Sequence, residues 1–164
     1  MRSARLPDTG NNNVLPKLLV VLHGPNLNLL GERPVEHYGS LTLVELNSMI
    51  TEEAQRLGWD TQCFQTNHEG VYIDWIHQFR HAGAMIVNPG AWTHYSYAIH
   101  DALELVTCPV AEVHLSDIGR REEWRRHSVI SEVVDVVVSG KGPQGYLEAL
   151  RCVVAMAEEG ACKT

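Results

Sequence analysis

Apolar residues in this chain gather in five short runs, separated by longer stretches in which they recur every three or four positions. The first run, Leu18 to Leu22, has the length and branching of a buried strand and ends at Gly24-Pro25, which cannot continue one. About twenty residues follow before the next periodic segment, punctuated by Gly31, Pro34 and Gly39 and carrying Leu27, Leu29 and Leu30 as hydrophobic staples. Such a stretch is either an ordered lid over a polar pocket or a packed surface loop. Thr42-Leu43-Val44-Glu45 has capping-box spacing, and Leu43, Leu46, Ile50 and Leu57 predict a helix up to Gly58. Trp59 to Phe64 reads as a second strand. Asn67 is placed to cap a helix in which Tyr72, Trp75, Ile76 and Phe79 share a face. Ala84 to Val87 is the third strand. A third helix starts near Thr93, with Ala98, Ile99, Ala102, Leu103 and Val106 as its buried face. Val110 to Leu115 predicts strand four, Arg121 to His127 a short charged helix, Val133 to Val138 strand five, and Pro143 to Glu159 a last helix with proline in its first turn.

Strand and helix alternate, and the strands are apolar almost throughout, which predicts a parallel sheet covered on both faces: a doubly wound α/β domain. Its commonest five-stranded order, 2-1-3-4-5, reverses between strands one and three, and ligands bind there beyond the carboxyl ends of the strands. This places His23 and Asn26 after strand one, Asn88, Thr93 and His94 after strand three, and Glu112, His114 and Ser116 around the end of strand four, all at one crevice. The 164 residues suit one domain, assigned to 17–160, with 1–16 read as a flexible tail and 161–164 as a short one.

Composition narrows the partner. A net charge of −7, with no basic run longer than Arg120-Arg121 or Arg125-Arg126, disfavours nucleic acid and anionic membranes and leaves a small solute. Four scattered cysteines without C-x-x-C spacing fit reduced thiols in a cytoplasmic protein. No apolar run reaches the roughly 20 residues of a membrane span, and the first sixteen residues lack the apolar core of a secretory signal. Gly24-Pro25-Asn26 is not a phosphate loop, Ser96 and Ser116 are not in a nucleophile elbow, and His77 and His81 lack a third metal ligand.

Proton transfer remains. His114 and His94 are of the residue type suited to proton transfer near neutral pH, Glu112 can orient a histidine, and Tyr38 accompanies Arg33 in the long loop. Tyrosine, with a reference pKa of about 10, becomes a base near neutral pH only if its phenolate gains roughly 4 kcal/mol. A guanidinium about 4 Å away supplies roughly that at an effective dielectric near 20. Tyr38 packing the loop down, without chemistry, explains the residue equally well.

Eight blocks then carry a specific likeness: Leu22 to Leu30, Gly31 to Gly39, Gln65 to Gly70, Asp74 to His77, Val87 to His94, Glu112 to Ser116, Arg121 to Glu123 and Gly142 to Tyr146. In this order they closely resemble type II 3-dehydroquinate dehydratase, from Lys17 to about Ala157. The resemblance implies a flavodoxin-like subunit that eliminates water from 3-dehydroquinate through an enolate, giving 3-dehydroshikimate, in the shikimate pathway or in quinate catabolism, with no cofactor and no metal. It implies Tyr38 as base, Arg33 as the arginine favouring its phenolate, Asn26 as holder of a water at the enolate oxygen, and His114, oriented by Glu112, as acid. Asn88 with the backbone N–H groups of Leu115 and Ser116 would take the substrate carboxylate, and His94 and Arg125 the ring hydroxyls. Arg121 matches a site-lining arginine, and Asp101 a residue reaching a neighbouring subunit's site in trimers that pack as dodecamers. A relative that only binds a ligand, or a flavodoxin-type electron carrier, are the competing classes; Arg33, Tyr38 and His114 together favour the enzyme.

The likeness has gaps. His23 stands where asparagine is usual before Gly-Pro-Asn, Pro34-Val35 where Glu-Pro is typical, Ser116 to Arg120 differs by gaining Asp117 and Arg120, and Lys141 occupies a commonly apolar position. None of these is a proton-transfer residue.

Overall fold

The computed structural model describes residues 17–32 and 41–160, so Arg33, Tyr38, the Pro34-Val35 departure and both tails lie outside the described residues. Five strands form one parallel sheet: β1 Leu18–His23, β2 Asp60–Gln65, β3 Ala84–Asn88, β4 Val110–His114 and β5 Val136–Ser139, in the order β2-β1-β3-β4-β5. Four helices flank it: α1 Leu43–Arg56, α2 Glu69–Phe79, α3 Tyr97–Glu104 and α4 Pro143–Glu158. The doubly wound sheet and strand order expected from the alternating pattern are observed, as is the flavodoxin-like fold that the resemblance implies.

Because side chains alternate along a strand, β1 feeds two cores at once. Leu19 and Val21 pack with Leu46 and Ile50 of α1 and Leu150 and Val153 of α4. Val20 and Leu22 face the other way, onto Tyr72 and Ile76 of α2 and Ile99 and Leu103 of α3. β1, β3 and β4 are buried nearly end to end, whereas β2 and β5 are edges, which explains why β2 tolerates Asp60, Thr61 and Gln62. Among the described residues no helix is long and apolar enough to cross a membrane.

Local chemistry sets the helix ends. Thr42 caps α1 through the predicted box: its Oγ1 accepts from the Glu45 N–H at 3.3 Å and the Glu45 carboxylate accepts from the Thr42 N–H at 2.8 Å. Elsewhere boundaries move. α2 starts at Glu69 after His68, and Asn67, expected as its cap, instead turns its carbonyl oxygen to the Asn26 N–H at 2.9 Å. α3 starts at Tyr97, capped by Ser96 Oγ, because Thr93 is held in a preceding 3-10 turn, Gly90–His94, by its buried hydroxyl; Ala98 is consequently exposed rather than in the core.

The predicted helix at Arg121 to His127 is absent. The connection from β4 to β5 runs through three 3-10 turns, Ile118–Arg120, Glu123–Arg125 and Ser131–Val133, so β5 begins three residues later than expected. Val129 and Ile130 anchor this segment in the core, with Val133 and Val134 packed against it, a cluster after the charged stretch rather than a helical stripe along it, and Ser128 turns its hydroxyl inward to a carboxylate. These irregular turns frame one side of the crevice.

The ends of β1 and β3 meet closely. Gly24 N–H donates to the Asn88 carbonyl at 2.8 Å, and a Cβ at Gly24 would lie 2.6 Å from the Pro89 carbonyl carbon and oxygen. Gly24→Ala must therefore push the two loops apart, costing about 1–3 kcal/mol. A thermal melt should show Tm several degrees below wild type; an unchanged Tm would mean the loops yield freely.

Candidate active site

Beyond the carboxyl ends of β1, β3 and β4 lies an open crevice of about 640 Å³, the solvent at its mouth included. Asn26, Asn88, His94 and His114 line it, joined by Leu115, Ser116, Arg121 and Arg125. Eight predicted site residues therefore converge on one space. Glu112 stands behind His114, and Asp101 is exposed on α3, away from this chain's crevice.

His114 and Glu112 are two residues apart on β4, so the pleat puts both side chains on one face. His114 Nε2 lies 2.6 Å from Glu112 Oε1. Thr93 Oγ1 donates to the same oxygen, and Ser128 Oγ donates to both carboxylate oxygens at 2.8 and 3.0 Å. Burial alone would raise the Glu112 pKa, but the hydrogen bond and charge of His114, with the two hydroxyls, outweigh it and hold the group below the usual carboxylate range. An ionised Glu112 keeps a proton on Nε2, so Nδ1 is the nitrogen His114 presents to the crevice.

His94 is fixed differently. Its Nδ1 lies 2.7 Å from the His127 carbonyl, which only accepts, so Nδ1 carries the proton and Nε2 is left as an acceptor. Burial, and then the nearby His114 and Arg125, hold this histidine below its ordinary pKa against the opposing pull of that carbonyl. Its ring meets Trp124 edge-on at 5.4 Å, and the Arg125 guanidinium lies 4.2 Å over the same indole. Arg125 and Arg121 both approach the exposed Glu122, at 3.3 and 3.5 Å.

Asn26 occupies the left-handed region at φ 65°, which asparagine tolerates better than most residues. Gln65 donates to Asn67, to Asn28 and to the Gly24 carbonyl, bracing the turn after β1. Asn88 is nearly buried; its Oδ1 accepts from the Gly90 N–H at 3.1 Å and its Nδ2 donates to Tyr146 Oη at 2.8 Å.

Sequence reasoning passed over several of these supports. Tyr146 reads as one more apolar position of α4, and its hydroxyl is the only sign of another duty. Ser128 lies in a segment without periodicity, and Asn67 looked like a cap. Among the described residues, His100, Asp101 and Glu104 are a group whose ligand atoms fall within 4.8 Å of one another, and it lies on and beside the outer face of α3.

Residues 17–154 match the family model described as dehydroquinase class II. The chain is 49% identical over 140 residues to a 3-dehydroquinate dehydratase of Pelotomaculum thermopropionicum, covering 85% of this chain and 97% of that one. A 3-dehydroquinate dehydratase of Thermotoga neapolitana is also 49% identical, over 143 residues, covering 87% and 98%. Among solved structures, the type II dehydroquinase of Propionibacterium acnes superposes with a TM-score of 0.82 at 40% identity, over 86% of this chain and 98% of that one.

Since the folded Glu112 pKa is depressed, its contribution to stability is complete above the unfolded value near 4.5 and is lost as pH falls through the folded one. Urea unfolding between pH 6 and pH 3 should show this acid-side loss in wild type and a shallower one in Glu112→Gln. Equal slopes would mean that the carboxylate is not ionised in the folded protein.

Proposed function

The chain belongs to the dehydroquinase class II family, and from that premise we propose that it is a 3-dehydroquinate dehydratase, removing water from 3-dehydroquinate to give 3-dehydroshikimate. The observation that carries this reading is the buried Glu112–His114 pair, 2.6 Å apart, opening onto a crevice that also holds Asn88, His94 and Arg125. A ligand that was only bound would not need a histidine backed by a buried carboxylate.

In the proposed reaction the Tyr38 phenolate, favoured by Arg33, takes a proton from the carbon next to the ketone. Electrons from that C–H bond move onto the ketone oxygen as an enolate, which a water held by Asn26 stabilises. The enolate collapses to the enone as the C–O bond of the leaving hydroxyl breaks. His114, as imidazolium, gives its Nδ1 proton to that oxygen, which departs as water, while Glu112 stabilises the charged ring through Nε2. The tyrosine proton then returns to the histidine through solvent. Asn88 and the N–H groups of Leu115 and Ser116 take the substrate carboxylate; the His94 Nε2 lone pair accepts from a ring hydroxyl, and Arg125 holds another.

An imine route finds little support. Lys141 is exposed and pairs with Glu148 at 2.6 Å, Lys17 pairs with Glu158 at 3.1 Å, and neither lines the crevice. Lys163 belongs to the terminal residues.

Tyr38→Phe keeps the ring and removes the base, so kcat should fall at least about 100-fold with ligand binding retained. His114→Ala should do the same by removing the acid. Release of the conjugated enone, followed by absorbance, measures both; a Tyr38→Phe enzyme with a tenth of wild-type turnover would place the base elsewhere.

We propose further that the subunits form trimers assembled into dodecamers in the cytoplasm, with Asp101 completing a neighbour's crevice. The support is on α3 and just before it. Trp92 and Ile99 are buried, but Tyr95 and Tyr97 are 59% and 65% exposed beside Asp101. Tyr97→Glu should lower particle mass and turnover in parallel. Light scattering that finds a fully active monomer would defeat this assembly.

A further inference from the structure

Behind the crevice wall, a line of polar groups runs from Asn88 to Asn47 beside the core that contains Tyr146. Asn88 Nδ2 lies 2.8 Å from Tyr146 Oη, Tyr146 Oη lies 3.2 Å from His23 Nδ1, and His23 Nε2 lies 2.8 Å from Asn47 Oδ1. His23 and Tyr146 have no exposed surface, so the two ring nitrogens of His23 and the Tyr146 hydroxyl must be satisfied within the line.

We propose that Tyr146 and His23 are positioning residues that act through Asn88, fixing its amide with one N–H turned into the crevice as a donor to an anionic ligand. The direction of every proton follows from the neighbours. Asn47 Oδ1 only accepts, so the His23 proton sits on Nε2 and leaves Nδ1 with a lone pair. Tyr146 has a single O–H; it gives that proton to His23 Nδ1 and is thereby free to accept from Asn88 Nδ2. At the opposite edge of the amide, Oδ1 is held by the Gly90 N–H at 3.1 Å. A flipped amide would set NH₂ against that N–H and would take the Tyr146 proton away from His23. Of the two amide hydrogens, one goes to Tyr146, and among the described residues the other has no recorded acceptor; Asn88 lines the crevice. Burial keeps this arrangement in one protonation state: it pushes the His23 imidazole down to about 4, so the ring is neutral near pH 7, and pushes the Tyr146 phenol up. The register supports the same geometry, since His23 and Asn88 are direct partners across β1 and β3.

The inference rests on the reading of Asn88 as a carboxylate donor. Carboxylate binding is the same in substrate and transition state, so its loss should raise KM more than it lowers kcat. Full-length Tyr146→Phe, Asn88→Ala and the double variant are compared in steady-state kinetics with 3-dehydroquinate, with melts run alongside. Tyr146→Phe should raise KM about tenfold with kcat within about twofold, the scale of one lost hydrogen bond. The double variant should be no worse than Asn88→Ala alone, because Tyr146 acts only through that amide. An unchanged KM in Tyr146→Phe, or penalties that multiply in the double variant, would overturn the proposal. A second measurement does not depend on turnover. In protein labelled with ¹⁵N-histidine, the His23 spectrum should show a protonated Nε2 and a bare Nδ1 whose resonance moves in Tyr146→Phe; the opposite tautomer would overturn the relay. Should the wild-type protein fail to turn over 3-dehydroquinate, the dehydratase reading falls, and the tautomer alone decides the relay.

Discussion

A carboxylate with no solvent around it must be satisfied by the protein, and Glu112 is satisfied by three separate segments at once. His114 comes from the same strand, Thr93 from the turn after β3, and Ser128 from the irregular connection to β5. Leaving such a charge unpaired costs about 3–5 kcal/mol, so each partner segment is held against the others. Backbone contacts follow the same seam: Val129 N–H donates to the Thr93 carbonyl at 2.8 Å, and His94 reaches the His127 carbonyl. The crevice wall that carries His94 and Arg125 is built of turns rather than helix, and this shared carboxylate gives those turns one arrangement.

That dependence explains which parts of the molecule could be read from the residues. The sheet order and both cores follow from apolar runs and helical stripes, which are local signals. Glu112 and His114 were legible as a pair because a strand puts residues two apart on one face. The connection that supplies Ser128 was not legible: its conformation follows one buried hydroxyl and a short run of apolar anchors near its end, with no period for a pattern to show, so charged residues there suggested a helix that the fold does not contain. Tyr146 was hidden for the opposite reason. It fits the stripe of α4 so well that packing accounts for it fully, and its hydroxyl gains meaning only when β1 and β3 bring His23 and Asn88 against it. Asn67 illustrates a competition: its carbonyl oxygen could cap α2, yet it holds the turn at Asn26, whose left-handed backbone needs the external partner more. Arg33 and Tyr38 lie outside the described residues, so their convergence rests on sequence and family alone.

The departures at Asp117, Arg120 and Lys141 turn out to be surface chemistry. Asp117 caps its own turn through the Gly119 N–H at 3.0 Å and pairs with Arg120, and Lys141 pairs with Glu148 on α4. Exposed pairs of this kind contribute about 0–1 kcal/mol each. Asp117 also packs against Gly140, where a Cβ would come within 2.8 Å of its own, so the substituted stretch is braced by backbone shape rather than by charge. The crevice meets this stretch through Ser116 and Ile118, not through Asp117 or Arg120.

An acidic chain proposed to bind an acid needs its attraction to be local. At −7 overall, the long-range field opposes an anion, but screening over roughly 8–10 Å at physiological salt removes most of that field at the crevice. In the proposed reading, the groups at contact distance are the Asn88 amide and the N–H groups of Leu115 and Ser116, in a crevice that Arg121 and Arg125 also line. Glu122, exposed and within 3.5 Å of both guanidinium groups, offsets part of their charge. A neutral amide recognises an anion only if its N–H edge is turned outward, so in that reading the orientation of one buried side chain matters to binding. The hydrogen bonds behind Asn88 and those around Glu112 do the same physical work on opposite sides of the crevice: each buries polar groups that have only one consistent arrangement.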